Sequence, residues 1–464
     1  MFYYRKEEIE KIERFYRMDE SKAMAVYGRR RIGKTQLMVQ CANHSLKGRM
    51  IYYQVSNPSY DVAVEDFKSA IALILGHDLV VQSLKTFKEI FSFLSRILDE
   101  QYVFVIDEFP ILAKRTEDID VEFQWIIDHA LGKQKIILIG SQLSFMKKQI
   151  ASKEAPLYGR FDEIIHLMPF SFEEVRGLFQ SDEEAMSVYA CTGGVAQYVM
   201  LFKRYDSVQE AMENLSFNKD GRLFTEANNL LMMELKEPTF YKRILEAIGS
   251  TAKTVSQIAT KCGMDQRALT TYLAKLVGLD IIYPSESMLA GKRIARRYEI
   301  SDLLFRFTNS FIEPNISYIT IAGSASMKVI LNERYQEYLG KVYEELVKRQ
   351  VLMDGAKGML PFAPVTAGRW HGNIFEKGNR LESEVDVIAY DQDNVIIGEC
   401  KYSSKKIGLS VLEKLKQKAV FISAGKRKIY YLLASKEGFT EELLSRKDDN
   451  LILYHSLQLE GSAK

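Results

Sequence analysis

The clearest chemical pattern lies at residues 28–35, which read GRRRIGKT and fit the spacing G-x-x-x-x-G-K-S/T. The apolar run before them predicts a strand and the run after them a helix, which is the context that this motif requires. In such a loop the backbone N–H groups surround phosphates, the lysine reaches the outer phosphates, and the hydroxyl binds Mg²⁺. A structural glycine-rich turn is the alternative. The pattern predicts a nucleotide site formed by Gly28, Arg29, Arg30, Arg31, Ile32, Gly33, Lys34, Thr35 and Gln36.

Two acids follow the apolar strand YVFVI, at the end that should face the phosphate loop. Asp107 is the candidate Mg²⁺ partner, and Glu108 is placed to polarise an attacking water, which phosphoryl transfer to water requires. The alternative is that both acids only cap the next helix. The next strand, KIILIG, ends before Ser141 and Gln142, which would either lie beside the γ-phosphate as a sensor or be ordinary loop residues.

Arg160 is the best candidate to stabilise charge on the transferred phosphoryl group. It would act within its own chain or across a subunit boundary, and a surface ion pair with Asp162 is the alternative. The three arginines at the tip of the phosphate loop would steer nucleotide or contact neighbouring domains. Simple exposure to solvent is their alternative.

A second charged group lies on two apolar runs that predict paired strands near the carboxyl end. Asp386 lies on the first, and Glu399 and Lys401 lie on the second, two residues apart and therefore on one face. Metal-dependent hydrolysis of phosphodiesters needs such a set, because the acids hold Mg²⁺ or Mn²⁺ and the lysine orients water. Glu344, in a preceding helix, is a further candidate ligand. A hairpin with surface acids and lysines is the alternative.

Residues 239–312 predict three short helices and a two-stranded wing, which is typical of a winged helix-turn-helix. Gly263 is expected in the tight turn and Asp265 at the N-cap of the third helix. Polar and basic residues on that helix and in the wing suit DNA grooves and phosphates. A role in protein contacts or as a hinge is the alternative. The candidate DNA contacts are Gln266, Arg267, Thr270, Thr271, Lys275, Lys292, Arg293, Arg296 and Arg297.

Length and composition exclude several classes of protein. A chain of 464 residues predicts about three domains at roughly 150 residues each. A net charge of +2 shows no global excess for nucleic acid or membrane, so any basic surface must be local. The four cysteines have no paired spacing, which argues against zinc and disulfides. Without a signal sequence or an apolar run of membrane length, we expect a cytoplasmic protein.

Several motifs resemble an archaeal and bacterial family of P-loop ATPases in the STAND/AAA-like group, whose members often carry a DUF234-type domain. The motifs are GRRRIGKT, VIDEFP, LIGSQLSFM, APLYGR, PFSFEE and TGGVAQY, in which Ala196 replaces the usual proline. The resemblance implies ATP as the nucleotide and a five-stranded ASCE-type core with a strand inserted between the two Walker motifs. The acids and lysine near the carboxyl end, with Glu384 two residues before Asp386, also resemble the PD-(D/E)xK nuclease fold.

The expected fold class is therefore multidomain α/β. It comprises a P-loop ASCE core over 1–171, a helical lid over 172–238, a winged helix domain over 239–312 and a restriction-endonuclease-like domain over 313–464. The leading hypothesis is a Mg²⁺-dependent ATPase coupled to DNA and to a nuclease-like domain. One alternative is a nucleotide-gated regulator of DNA or a protein partner, with an inactive nuclease fold. The other is a homo-oligomeric ring motor in which Arg160 acts on a neighbour.

Overall fold

Internal contacts divide the chain into two units. Unit 1 comprises Met1–Gly177 and Gly194–Lys203, and unit 2 comprises Leu178–Gly193 and Arg204–Lys464. Lys292 and Arg293, which the sequence predicts at the wing, lie outside the described residues. The structure, a computed structural model, describes residues 4–44, 46, 48–75, 79–113, 116–250, 252–290, 295–376, 379–446 and 448–459.

Unit 1 contains a parallel five-stranded sheet in the order β2-β3-β4-β1-β5. Strands β3 and β4 are buried along their whole length, as expected when helices cover both faces of a parallel sheet. Because β4 lies between β1 and β3, the inserted strand that the resemblance implies is confirmed. The strands are β1 (Ala23–Tyr27), β2 (Met50–Gln54), β3 (Val103–Asp107), β4 (Lys135–Gly140) and β5 (Glu163–His166).

Aromatic side chains make much of the core on one face of this sheet. The rings of Phe67, Phe91 and Phe104 are fully buried, with centroids 5.3–6.2 Å apart, so they pack edge to face and offset. The helices up to residue 202 all belong to unit 1 except α10. They are α1 (Lys6–Arg17), α2 (Lys34–His44), α3 (Tyr60–Leu75), α4 (Leu79–Ser83), α5 (Phe87–Ile97), α6 (Pro110–Ala113), α7 (Ile119–His129), α8 (Leu143–Ala151), α9 (Phe172–Arg176), α10 (Asp182–Thr192) and α11 (Ala196–Phe202).

The predicted lid is helical, but its helices are divided between the units. Helices α9 and α11 belong to unit 1, whereas α10, α12 (Val208–Leu215) and α13 (Glu226–Glu234) belong to unit 2. The chain leaves α10 at Gly193 and enters α11 after Gly194, and both glycines have positive φ, of 61° and 73°. The domain boundaries given by the sequence stay predictions within these two units.

The winged helix-turn-helix forms as predicted, with a short antiparallel hairpin after three helices. Gly263 ends the second helix with a φ of 63°, a conformation that glycine adopts at little cost. Asp265 caps the third helix by accepting hydrogen bonds from the N–H groups of Arg267 and Ala268. The elements are α14 (Pro238–Gly249), α15 (Val255–Cys262), α16 (Gln266–Gly278), β6 (Ile282–Ser285) and β7 (Arg297–Ile300).

The carboxyl-terminal part of unit 2 is a six-stranded mixed sheet in the order β13-β12-β11-β10-β9-β8. Strand β9 pairs antiparallel with β8 and β10, and β11 pairs parallel with β10 and β12. This mixed sheet confirms the multidomain α/β class. The strands are β8 (Thr366–Glu376), β9 (Asn379–Tyr390), β10 (Asn394–Lys401), β11 (Lys428–Ser435), β12 (Leu451–His455) and β13 (Gln458–Leu459).

The remaining helices of unit 2 lie before and around this sheet. The longest, α19, is broken at Asn332, where φ is 27°. Nowhere in the described ranges is a helix long and apolar enough to cross a membrane. The helices are α17 (Leu303–Phe307), a π-helical turn (Thr308–Ile312), a 3-10 turn (Glu313–Asn315), α18 (Ile316–Ala322), a 3-10 turn (Gly323–Ala325), α19 (Ser326–Ala356), α20 (Leu409–Ala419) and α21 (Glu441–Leu444).

Candidate functional site

The phosphate loop leaves the carboxyl end of β1 and leads directly into α2, which begins at Lys34. The ammonium group of Lys34 donates hydrogen bonds to the carbonyls of Gly28 and Arg29, at 2.9 and 3.0 Å. A Cβ atom at Gly28 would lie 2.4 Å from the carbonyl oxygen of Leu167, so no larger residue fits there. Gly33 has a φ of 95°, which disfavours any side chain. The loop therefore has the closed turn and the helix start that phosphate binding needs.

Asp107 ends β3 beside this loop and is almost fully buried. Its Oδ2 accepts hydrogen bonds from the Thr35 hydroxyl, at 2.9 Å, and from the Tyr52 hydroxyl. Burial is the main cause that raises the pKa of Tyr52, and the hydrogen bond to Asp107 is the second, so this phenol keeps its proton and remains a donor. The paired hydroxyl and carboxylate oxygens fit a Mg²⁺ ion. Tyr52 was not predicted from the sequence, because only the pairing of β2 with β3 brings it to Asp107.

Glu108, the residue after β3, has a left-handed backbone with φ of 57°. Its Oε2 accepts a hydrogen bond of 2.7 Å from the Ser141 hydroxyl at the end of β4, and its N–H donates to Asp107 Oδ1 at 2.8 Å. The two strand ends therefore hold the carboxylate at the edge of the sheet that carries the phosphate loop. A non-glycine residue in this conformation is uncommon and costs free energy, which is typical of a functional position.

The segment that begins α11 also contacts the phosphate loop. The N–H of Gln197 donates to the Arg31 carbonyl at 3.0 Å, and the Arg31 guanidinium lies 5.8 Å from the centre of the Tyr198 ring. Arg31 thus contacts the segment TGGVAQY of its own unit. The sequence shows that this segment is unusual but does not predict that it contacts the phosphate loop, because about 165 residues separate the two.

Arg160 precedes β5, at the sheet edge opposite to the phosphate loop. Strand β5 begins at Glu163, which pairs with Met24 near the start of β1, whereas the phosphate loop follows the end of β1. The five residues of β1 span about 16 Å, which separates the two ends of the sheet. The guanidinium of Arg160 pairs with Asp128 at 3.2 Å, whereas Asp162 accepts hydrogen bonds from backbone N–H groups. The suggested pair with Asp162 is therefore replaced by one with Asp128. This place does not favour action on a nucleotide in the same chain, and action across a subunit boundary stays a prediction.

The charged residues predicted near the carboxyl end come together in unit 2. The pairing of β9 with β10 brings Asp386 beside Glu399, and Asp386 Oδ2 accepts a 2.9 Å hydrogen bond from the Cys400 N–H. Lys401 contacts Glu399 Oε1 at 2.7 Å, which confirms that both side chains share a face. Lys418, on α20, contacts Glu399 Oε2 at 3.1 Å. Lys418 was not singled out as a member of this cluster.

Glu344 joins this cluster from α19. The pKa of Glu344 is raised to about 7, mainly because the side chain is buried and secondly because of the negative charge of Asp386. Burial, followed by the charge of Glu399, likewise raises the pKa of Asp386. The oxygen ligands suit Mg²⁺ or Mn²⁺ in kind, although both oxygens of Glu399 contact lysines. No three His, Cys, Asp or Glu side chains are arranged to hold a metal ion within the part of the chain that the structure describes.

Helix α16 presents a polar face to solvent. Its Leu269, Leu273 and Leu276 are buried in the winged helix core. The other face carries the predicted DNA contacts, at intervals of three and four residues along the helix. These exposed residues are Gln266, Arg267, Thr270, Thr271 and Lys275.

The wing contacts the carboxyl-terminal sheet instead of standing free. The Met288 N–H donates to the Arg369 carbonyl of edge strand β8 at 2.9 Å, and the Ser287 hydroxyl donates to the His371 carbonyl at 2.7 Å. Arg297 pairs with Glu382 at 3.2 Å and with Glu384 at 3.6 Å, both on β9. Arg297 thus neutralises two carboxylates in this arrangement, and its contact with DNA stays a prediction.

Two family models match the chain. Residues 2–202 match an ATPase domain predominantly from Archaea. Residues 309–418 match DUF234, described as archaeal and bacterial proteins of unknown function. The chain thus contains an archaeal-type ATPase domain followed by a DUF234 domain. The phosphate loop and the acids after β3 fall within the first match, and the charged cluster around Glu399 falls within the second.

A relative and several solved structures are similar to this chain over more than half of its length. An uncharacterized protein of Methanocaldococcus jannaschii is 28% identical over 401 residues, which cover 85% of each chain. The ORC2 protein of Aeropyrum pernix, solved with ADPNP and ADP, is 14% identical with a TM-score of 0.45, over 68% of this chain and 95% of that one. The RuvB branch migration motor of Thermotoga maritima is 15% identical with a TM-score of 0.32, over 60% and 89%.

Proposed function

We propose that this ATPase hydrolyses ATP with Glu108 as the general base, binds DNA through α16, and carries a metal-dependent phosphodiesterase site in its DUF234 domain. The observation that carries the proposal is the carboxylate of Glu108, held by Ser141 beside the Thr35–Asp107 pair at the edge of the phosphate loop. A carboxylate oriented there can accept the proton of a water that attacks the γ-phosphate.

Each side chain of the ATP site has one role in this proposal. Lys34 would exchange its carbonyl contacts for the outer phosphates of ATP, and Thr35 and Asp107 would hold Mg²⁺. The ion would neutralise phosphate charge when bound. Tyr52 donates to Asp107 and so keeps that carboxylate oriented. The Ser141 hydroxyl positions Glu108 by donating to one oxygen of its carboxylate. The other carboxylate oxygen of Glu108 can then accept a proton.

DNA binding is proposed for the exposed face of α16, because polar and basic side chains occur there together. We expect Arg267→Ala and Lys275→Ala each to weaken binding of duplex DNA and to lower the slope of log affinity against log salt by about one, because each removes one phosphate contact. Fluorescence anisotropy over a range of salt concentrations measures both quantities.

The control for this prediction is Lys219→Ala, which removes an exposed lysine of the same unit that does not belong to α16. Its salt slope should equal that of the unchanged protein. Equal slopes for all three variants would contradict a DNA interface on α16 and would favour the alternative in which the winged helix contacts protein.

The phosphodiesterase proposal is supported by the neighbouring carboxylates of Asp386 and Glu399 with Lys401 beside them. A metal would have to draw Glu344 closer to complete a three-acid site, because the described residues hold no such set as they stand. We expect the full-length protein to nick or cut supercoiled DNA with Mg²⁺ or Mn²⁺, and Asp386→Asn to lower the rate by about a hundredfold or more, because it removes a charged metal ligand. Agarose gels with and without ATP measure scission and any gating by nucleotide. Lys401→Ala should also lose activity, whereas the exposed Lys406→Ala should retain it.

One observation favours a second function, a nucleotide-gated regulator whose nuclease-like fold does not cleave. Both carboxylate oxygens of Glu399 contact ammonium groups, those of Lys401 and Lys418, so a metal would have to displace at least one of them. In that case the intact protein leaves DNA uncut in every condition while ATP turnover persists. Binding to DNA should then differ between ADP and ATP.

A further inference from the structure

A cavity of about 790 Å³ lies within unit 2, between the wing, α19 and strand β8. Its size falls in the range of roughly 300–1,000 Å³ that is usual for small-molecule sites. The residues that line it belong to unit 2, whereas the phosphate loop belongs to unit 1. None of the ATPase or phosphodiesterase residues proposed above lines it.

The lining of this cavity is rich in positive charge. Four basic side chains line it, those of Arg296, Lys348, Arg349 and Arg369, against two acidic ones, Glu286 and Glu345. Lys348 and Arg369 both contact the same Oε1 atom of Glu345, each at 2.7 Å. Arg369 also pairs with Glu299 at 3.3 Å, and Arg296 pairs with Glu286 at 2.7 Å. The positive charge that these carboxylates leave over is that of Arg349.

Two of these basic groups are largely shielded from water, and both are paired with carboxylates. The side chains of Lys348 and Arg369 are only 9% and 16% exposed, and charges attract more strongly there than in open water. Arg349 donates to the neutral phenol oxygen of Tyr189 at 3.3 Å, and no carboxylate among the described residues pairs with its guanidinium. Guanidinium groups pair with phosphate through parallel N–H donors.

The rest of the wall suits an organic group. Tyr283, Met288, Leu289, Leu352 and Tyr390 add aromatic and aliphatic surface beside the basic side chains. A bare phosphate would leave this surface in contact with water, whereas a nucleoside phosphate would cover it with its base and sugar. We propose that the cavity is a second ligand site, which binds a small phosphate-bearing organic anion of nucleotide size.

A ligand in this cavity would contact two elements of unit 2 at once. Met288 and Leu289 belong to the wing, and Arg369 belongs to β8. The wing is already tied to this strand by the hydrogen bond between Met288 and Arg369. Binding therefore stabilises the docked wing, by the general rule that a ligand favours the arrangement that completes its site. This inference does not rest on DNA binding or cleavage.

The test is calorimetric titration of full-length Lys34→Ala protein, in which the phosphate loop is disabled, with ATP, inorganic pyrophosphate and adenosine as probes. We expect ATP to bind at one site per chain, and more tightly than either of the other two probes. Arg349→Gln, added to that protein, should weaken ATP binding by about tenfold or more, because a charge-assisted contact is lost. Leu352→Trp, which fills the cavity without changing charge, should weaken it as well.

Lys357→Gln is the matched control, since it removes an exposed charge just after α19 without altering the cavity. It should bind ATP like Lys34→Ala alone. Thermal unfolding checks that each variant is folded, and Arg349 is exposed enough for its replacement to leave the core intact. The proposal is overturned if ATP does not bind to Lys34→Ala, if Arg349→Gln and Leu352→Trp leave its affinity unchanged, or if pyrophosphate or adenosine binds as tightly as ATP.

Discussion

Replacing Glu108 by glutamine is expected to lower ATP turnover by about 10²- to 10⁴-fold while ATP still binds. The amide has the shape of the carboxylate and can still accept the hydrogen bond from Ser141, which is 2.7 Å long in the structure. It cannot accept a proton from water at neutral pH. Phosphate release measures turnover, and equilibrium binding of ATP measures affinity in the same preparation.

Glu154→Gln is the control, because it makes the same chemical change at an exposed position elsewhere in unit 1. Its turnover should match that of the unchanged protein. Full turnover by the Glu108→Gln protein would show that Glu108 is not the base, and would leave the acids after β3 with the capping role considered from the sequence. Loss of ATP binding by that protein would instead show that the substitution disturbs the phosphate loop.

The second large effect is expected from Lys34→Ala, which removes the ammonium group at the start of α2. Lys34 is only 7% exposed and is held by two loop carbonyls, so its charge is already placed where the phosphates would lie. Losing one partner of a buried charge pair costs about 2–5 kcal/mol, which corresponds to a loss of affinity on the order of 30- to 5,000-fold. Because the cavity of unit 2 is proposed to bind ATP as well, both proteins also carry Leu352→Trp, and titration with ATP and Mg²⁺ then measures the loss at the phosphate loop.

Lys153→Ala removes an exposed lysine of the same unit and should leave the affinity for ATP unchanged. Thermal unfolding of both variants separates loss of binding from loss of structure. ATP affinity within about twofold of the unchanged protein for Lys34→Ala, a difference of only about 0.4 kcal/mol, would contradict the assignment of the phosphate loop.

The two charged sites differ in how completely the sequence described them. At the ATP site, Thr35, Asp107, Glu108 and Ser141 were all predicted, and the structure brings them together by two side-chain hydrogen bonds. At the DUF234 site, Asp386, Glu399 and Lys401 were predicted as neighbours, and they are. The contact between Lys418 and Glu399, which limits the access of a metal ion to Glu399, was not predicted.

By itself the sequence determined the elements and the residues at their ends. Strands, helices, the turn at Gly263 and the cap at Asp265 follow from hydrophobic period and from short-range hydrogen bonding, which neighbours in the chain specify. The phosphate loop is similarly local, because its glycines, lysine and hydroxyl lie within eight residues. The sequence also predicts that the acids after β3 lie near the phosphate loop, since the carboxyl ends of parallel strands meet at one edge of the sheet.

Only the tertiary structure decided which distant groups meet these residues. It placed Tyr52 on Asp107, Gln197 on the phosphate loop, Arg160 on Asp128 at the opposite sheet edge, and the wing on β8. Each of these contacts joins residues more than 30 positions apart. Strand order, register and the packing of helices set such contacts, and these depend on the whole core rather than on any local pattern.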